Sequence, residues 1–254
     1  MVKLNNAGTY EHKAGEHTML ANHVVAVLLA AGFSKRFGSD KRLYGLETQT
    51  PNNNKPLLIH TLERILPHFQ HLIIVHRFDD EQILALLTDY PVTTIAAPQQ
   101  PIGLGVSLAT AAKYLLNNIT EIPTENMTKN IAASVTHNIV NSTVDNPLTE
   151  NKKQKPTHLM VFLADMPKID SRTINHLLNQ ARQNPKAVIR PRYQKHAGHP
   201  VCLPTSLLHR LSSLSQDEGA AQLIKTSGTK VIWVDVDDAG VVFDIDTPAQ
   251  TTLA

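Results

Sequence analysis

The sequence predicts a parallel α/β fold, and three observations carry that reading. From residue 24 onward, short apolar runs alternate with segments of helical period, the arrangement of a sheet built from strand–helix–strand crossovers. Only 5% of residues are aromatic, so the core must be mostly aliphatic. At 254 residues and 42% hydrophobic content, the chain is also long enough to bury a sizeable core.

Each element follows from its own pattern. Val24-Val25-Ala26-Val27-Leu28-Leu29 is rich in β-branched residues and stops short of Gly32, so it reads as a buried first strand. Leu58, Leu62, Ile65, Leu66 and Phe69 fall on one face of a helix. Leu72 to Val75 is a second strand, Asp80 to Asp89 the next helix, and Val92 to Ala96 a third strand. Leu108, Ala112, Leu115 and Leu116 mark another helical face. Leu159 to Leu163 is a fourth strand that runs into Ala164-Asp165-Met166-Pro167. Ile174, Leu177, Leu178 and Ala181 predict a helix capped by Asp170 or Ser171. Ala187–Arg190, Val201–Leu203 and Lys230–Val234 supply the later strands.

Two stretches break the rhythm. Residues 46–55 form a polar loop. In residues 117–155, 14 of 39 positions are Asn or Thr, with no glycine and no aromatic residue, so the segment has little to bury. It is expected to be a disordered insertion in a single domain spanning 23–254, preceded by a flexible extension at 1–22 that is unlike a secretory signal. The Asn-x-Ser/Thr triplets at Asn118, Asn126 and Asn141 follow from that composition and need no glycosylation.

Charge narrows the function classes. Lys and Arg number 24 against 22 Asp and Glu, a balance that argues against a general nucleic-acid or membrane-surface binder. The longest apolar stretch, Val24 to Ala31, is far too short for a bilayer. A single cysteine, Cys202, excludes an internal disulfide and a Cys-based zinc cluster, and it reads as a packed strand residue. A cytoplasmic protein acting on small molecules is the expectation.

The chemistry concentrates at strand ends. After the first strand, Gly32 and Gly38 permit tight turns and close backbone approach to a ligand. Lys35, Arg36, Lys41 and Arg42 follow within eight residues, a plausible counter-charge for a triphosphate. The segment is neither a Walker A loop nor a GxGxxG fingerprint. Asp165 directly follows an apolar strand, where a carboxylate suits a hard cation such as Mg²⁺. Asp244 and Asp246, two apart, share a face if they lie on a strand.

The pattern Ala-Ala-Gly-x-Ser-x-Arg-x-Gly-x-x-Lys-x-Leu resembles the opening loop of nucleotidyltransferases that activate sugars and cofactors with an NTP, and within them the molybdenum cofactor cytidylyltransferases. The resemblance spans about 24–250, outside 46–54 and 117–155. It implies a Rossmann-like three-layer α/β/α fold, mostly parallel, of the nucleotide-diphospho-sugar transferase type. It implies that Ala30, Ala31 and Gly32 wrap the nucleotide, that Arg36 and Lys41 hold its phosphates, and that Gly103 and Ser107 lie over the base. Asp165 stands at the metal-binding position of the family's Gly-Asp-x-Pro motif, with Ala164 where glycine is usual. Asp246, in Asp-Ile-Asp-Thr-Pro, is the implied second metal contact, and Asp244 is left open. Gly198-His199-Pro200 is implied to face the second substrate; Arg190 and Arg192 are outside the motif and read equally as contacts for the substrate's anionic groups or as solvated surface. Asp217-Glu218-Gly219-Ala220-Ala221 matches a further motif, except that Ala221 replaces a common Arg.

The implied reaction is Mg²⁺-dependent transfer of CMP from CTP to the phosphate of molybdopterin, with Lys41, Arg36 and Asp165 catalytic and a molybdoenzyme receiving the product. Ala30-Ala31-Gly32 and Gly-His-Pro look like the CTP users, since GTP users tend to show a second glycine and an acidic residue before His-Pro. A guanylyltransferase for the same cofactor, another NTP transferase, and a cofactor-binding chaperone with little catalysis stand as alternatives.

Overall fold

The aliphatic runs form strands in the computed structural model, which describes residues 3–4, 10–11, 23–34, 36–46, 54–101, 103–118, 155–215 and 219–253. The elements around the large sheet are β1 (Val24–Leu29), α1 (Leu57–Ile65), β2 (Leu72–His76), α2 (Glu81–Leu87), β3 (Thr93–Ala96), α3 (Leu104–Asn118) and β4 (His158–Leu163). They continue with α4 (Ser171–Gln183), β5 (Val188–Tyr193), β6 (His196–Ala197), β7 (Val201–Pro204), α5 (Leu208–Leu211), α6 (Ala220–Ser227) and β8 (Val231–Asp235). The sheet order is β6-β5-β7-β4-β1-β2-β3, with β8 paired to β5. Pairings of β1 with β2 and β4, β2 with β3, and β5 with β8 are parallel, whereas β7 is antiparallel to both β4 and β5.

Helices cover both faces, which is why β1 is apolar at every position. Val24, Ala26 and Leu28 pack with Leu58 of α1, Ile83 of α2 and Leu177 of α4. Val25, Val27 and Leu29 pack with Leu108 of α3, Leu208 of α5 and Leu223 of α6. The result is the three-layer α/β/α fold. Each fully buried Leu or Ile in these layers contributes roughly 1.5–3 kcal/mol. Asp170 caps α4 by accepting from the Arg172 backbone N–H at 2.7 Å, worth about 1 kcal/mol.

The chain order positions the site. From β1 the chain runs outward through β2 to β3, then returns to place β4 on the other side of β1. The chain therefore leaves the paired carboxyl ends of β1 and β4 in opposite directions along the sheet, which opens the crevice in which open α/β sheets hold ligands.

Of the expected insertion, residues 119–154 lie outside the described residues. So does most of 1–22, where only an antiparallel pairing of Lys3–Leu4 with Tyr10–Glu11 is described. No described helix is long and apolar enough to cross a membrane. One expectation is corrected: residues 243–246 are irregular backbone leading into a 3₁₀ helix, Pro248–Leu253, so no strand aligns Asp244 with Asp246.

Candidate active site

The end of β1 is tied down by its neighbours. The Ala30 N–H donates to the Val75 carbonyl at 2.8 Å, and the Ala164 N–H donates to the Leu29 carbonyl at 3.1 Å. Above these strand ends lies a cavity of about 320 Å³, bordered by Ala30, Ala31, Gly32, Lys41, Gly103, Ser107 and Asp165. The structure thus brings together all five residues expected to contact the nucleotide. A Cβ on Gly32 would meet nothing within 4 Å, so no protein contact demands glycine there and a side chain would take up open space. Gly103 is different: its φ of 149° requires glycine. Its carbonyl accepts the Ser107 N–H and hydroxyl, both at 3.1 Å, at the start of α3.

A buried charge network holds this loop. Arg42, 3% exposed, donates to the Ala30 carbonyl at 2.7 Å, to Asp80 at 2.5 and 2.9 Å, and to Asp40 at 2.5 Å. Arg77 donates to Asp40 at 2.9 Å and to the Gly32 carbonyl. Burial raises the Asp40 pKa, but Arg42 and Arg77 outweigh it and hold the carboxyl below its usual value. Arg42 is therefore a structural cation neutralised from within, which corrects its reading as triphosphate counter-charge. Asp40, Asp80 and Arg77 were missed in the sequence. Asp40 had a local signal, as the cap of the turn Lys41–Leu43. Asp80 had none, since its partner lies 38 residues away.

Lys41 leaves that turn in the opposite direction. Its ammonium donates to Asp165 Oδ2 at 2.7 Å, the Ile245 carbonyl at 2.9 Å and Asp246 Oδ1 at 3.1 Å. Burial lowers its pKa, but Asp165 and Asp246 overcome that and raise it, so the amine is charged. Arg36, with its side chain 80% exposed, meets the other Asp246 oxygen at 2.9 Å. Asp165, Asp244 and Asp246 each place an oxygen within 4.8 Å of the others. They converge because the Ile245 N–H donates to the Asp165 carbonyl at 2.9 Å, while the Gln250 side chain accepts from the N–H groups of Asp246 and Thr247. Burial and the charges of Asp165 and Asp246 raise the Asp244 pKa. Asp165 Oδ1 is buried without a partner. An all-oxygen donor set with one orphaned carboxylate oxygen fits a hard divalent cation.

Gly198 is glycine for steric reasons, since a Cβ would lie 2.5 Å from the Val241 carbonyl oxygen. That same oxygen accepts the His199 N–H at 2.8 Å. The His199 Nδ1 is enclosed and unpartnered, and burial together with the charge of Arg190 pulls its pKa down to about 4. The imidazole lines a small apolar pocket of about 40 Å³ that shares Leu29, Leu104 and Leu163 with the main cavity. A neutral ring in such a place is poorly suited to hold a phosphate. Gly198 and Pro200 are buried and border neither space. Asp217 and Glu218 lie outside the described residues. Cys202 is fully buried and burial pushes its thiol pKa up, as a packed strand residue requires.

Residues 26–231 match the family described as the MobA-like NTP transferase domain. No curated protein sequence matches the chain. Among solved structures it resembles Rv0371c from Mycobacterium tuberculosis, with 19% identity, 91% of this chain and 97% of that chain covered, and a TM-score of 0.61. The manganese complex of Rv0371c aligns with 16% identity, 84% and 88% coverage, and a TM-score of 0.55. A 4-diphosphocytidyl-2C-methyl-D-erythritol synthase from Anaerococcus prevotii gives 14% identity, 94% and 97% coverage, and a TM-score of 0.60. Molybdopterin-guanine dinucleotide biosynthesis protein A from Archaeoglobus fulgidus gives 16% identity, 90% and 95% coverage, and a TM-score of 0.56. At these identities the likeness establishes a shared fold.

Proposed function

The chain belongs to the MobA-like NTP transferase domain family, and from that premise we propose that it moves CMP from CTP onto the phosphate of molybdopterin. Nucleotidyl transfer itself is the family's chemistry; the base and the acceptor are the proposal. The observation that supports nucleotidyl transfer here is that Lys41 and Asp165 border a cavity walled by Ala30, Ala31 and Gly32, and are joined there to Asp246 and Arg36 by ion pairs.

The nucleophile is an anionic phosphate oxygen, so the reaction needs alignment and charge neutralisation rather than a general base. A bond forms from that oxygen to the α-phosphorus of CTP as the bond to the bridging oxygen breaks, and pyrophosphate leaves with the electron pair. The backbone from Ala30 to Gly32 carries the nucleotide, and Gly103 and Ser107 close over the base. Lys41 and Arg36 turn from the carboxylates to the triphosphate oxygens and stabilise the departing pyrophosphate. Asp165 and Asp246, with Asp244 beside them, would hold Mg²⁺, which supplies further neutralisation of phosphate charge. The manganese complex of Rv0371c is a precedent on the same fold. The Ala31 methyl in the cavity wall leaves less room than a second glycine would, which favours a pyrimidine base. The product is the cytosine dinucleotide form of the cofactor, destined for a molybdoenzyme.

The test is base choice. Incubated with Mg²⁺, molybdopterin and each NTP in turn, the protein should release pyrophosphate fastest with CTP. A clear preference for GTP would replace the cytidylyl reading with a guanylyl one.

A further inference from the structure

Beyond β4 the sheet continues through β7 and β5 to β8, and there the chain places its single tryptophan. Trp233 is in register with Arg190 of β5 and is 44% exposed. Strands β5 and β8 run parallel to β4, and the register through Cys202 sets Arg190 and Trp233 level with Val161, about 13 Å along the strands from Asp165 at the edge where open α/β sheets hold ligands. Three strand spacings separate β8 from β4, about 14 Å across the sheet.

Two guanidinium groups flank the indole, those of Arg190 and Arg192, each 5.8 Å from a ring centroid. They are not equivalent. Arg192 is neutralised by the Asp235 carboxylate through bonds of 2.7 and 2.9 Å. Arg190 is half-buried and has no carboxylate partner among the described residues; its Nε donates only to the Gly198 carbonyl, at 3.2 Å. A partly desolvated guanidinium without a counter-anion is unfavourable, and negative charge on a ligand would relieve it. Gly198 leads directly to His199, whose ring feels the charges of both Arg190 and Asp165. Arg190 thus links the exposed indole to the reactive corner.

We propose that Trp233 and Arg190 form a platform for the far end of the second substrate, the indole stacking on a planar fused heterocycle and Arg190 meeting its negative charge. This rests on the nucleotidyl-transfer reading, with the acceptor phosphate near Asp165, and it narrows the acceptor to a class. A phosphate ester of a fused heterocycle gains from the indole, whereas a sugar or polyol phosphate has no π-face to stack.

Because Trp233 is the only tryptophan, its fluorescence in the full chain reports on the platform. Molybdopterin, titrated anaerobically and corrected against free tryptophan, should quench it, whereas CTP and ribose 5-phosphate should not. Arg190→Gln should raise the molybdopterin concentration for half-quenching about ten-fold. Trp233→Leu should raise KM for molybdopterin about ten-fold and leave KM for CTP unmoved. Turnover of molybdopterin with unchanged Trp233 fluorescence overturns the platform while the proposed reaction stands. Quenching by molybdopterin without turnover supports the platform and removes the proposed reaction. Quenching by ribose 5-phosphate, or by no phosphorylated probe, overturns the heterocycle assignment.

Discussion

At Lys41 one ammonium stands among oxygens of Asp165, Asp246 and Ile245, and this pairing sets what substitutions will do there. A divalent cation at the same carboxylates has to work against that charge. Lys41→Met should therefore raise the affinity for Mn²⁺ in the absence of nucleotide about ten-fold, equivalent to ~1.4 kcal/mol, read from the free Mn²⁺ signal in electron paramagnetic resonance. Equal affinity in the two proteins would place the cation elsewhere. Asp165→Asn keeps size and hydrogen bonding but loses the charge. Pyrophosphate release should fall roughly 10²–10³-fold, or about 3–4 kcal/mol of transition-state stabilisation. The urea midpoint should barely move, because Lys41 retains Asp246 and the Ile245 carbonyl. Near wild-type turnover would remove Asp165 from the mechanism. Both residues could be read in the sequence, because one ends an apolar strand and the other follows a glycine loop. Arg42 could not be told apart from its neighbours there. The four cations of that loop look alike until folding brings Asp80 against one of them.

The loop after β1 depends on distant residues, its carbonyls at Ala30 and Gly32 being gripped by Arg42 and Arg77. Asp80, at the end of the β2–α2 connection, keeps Arg42 compensated through two short contacts. Asp80→Asn should cost about 3 kcal/mol, since the buried Arg42 and partly buried Arg77 guanidinium groups would then share the single Asp40 carboxylate. It should also raise KM for the nucleotide, because the backbone proposed to carry it is no longer pinned. Thermal unfolding and initial rates measure the two effects, and a variant with unchanged stability and unchanged KM would show that the network does not position the loop. At this scale, periodicity carried far. The apolar runs and helical faces became strands and helices, because an element buried on one face or both must show its period. The face read through Leu66 and Phe69, however, stops at Ile65, where Pro67 turns the chain into a 3₁₀ turn. What periodicity cannot supply is a partner. Nothing local tells β7 to run antiparallel between β4 and β5, and nothing local brings the irregular segment at Asp244–Asp246 against β4. That contact depends on the Ile245 bond to the Asp165 carbonyl and on the Gln250 side chain, and both form only in the folded chain.

For the molecule as a whole, burial of neutral histidines ties stability to pH. His158 is fully buried, its Nε2–H donating to the Ala187 carbonyl at 2.9 Å, and burial holds its pKa below the usual value. His199 is pulled down to about 4 by burial and by Arg190. Between pH 6.5 and about 4 the unfolded chain takes up a proton at the His199 ring while the folded chain does not, and the lowered pKa of His158 acts in the same direction. The unfolded state then binds more protons, so stability rises with pH across this window and is lost as the solution is acidified. For His199 alone the loss at pH 5 should be about 2 kcal/mol, from a full difference near 3 kcal/mol once pH 4 is reached. Asp40 adds a separate loss at lower pH, because its carboxyl is held below its ordinary value by Arg42 and Arg77 against the opposing effect of burial. Urea midpoints at pH 7.5, 6 and 5 measure the slope directly. His199→Asn should flatten it, leaving the contribution of His158, whatever the variant's stability at pH 7.5. A slope as steep in His199→Asn as in the parent chain would mean that the ring is protonated in the fold and meets a negative partner. The apolar pocket beside Leu29 and Leu163 would then not be its resting place.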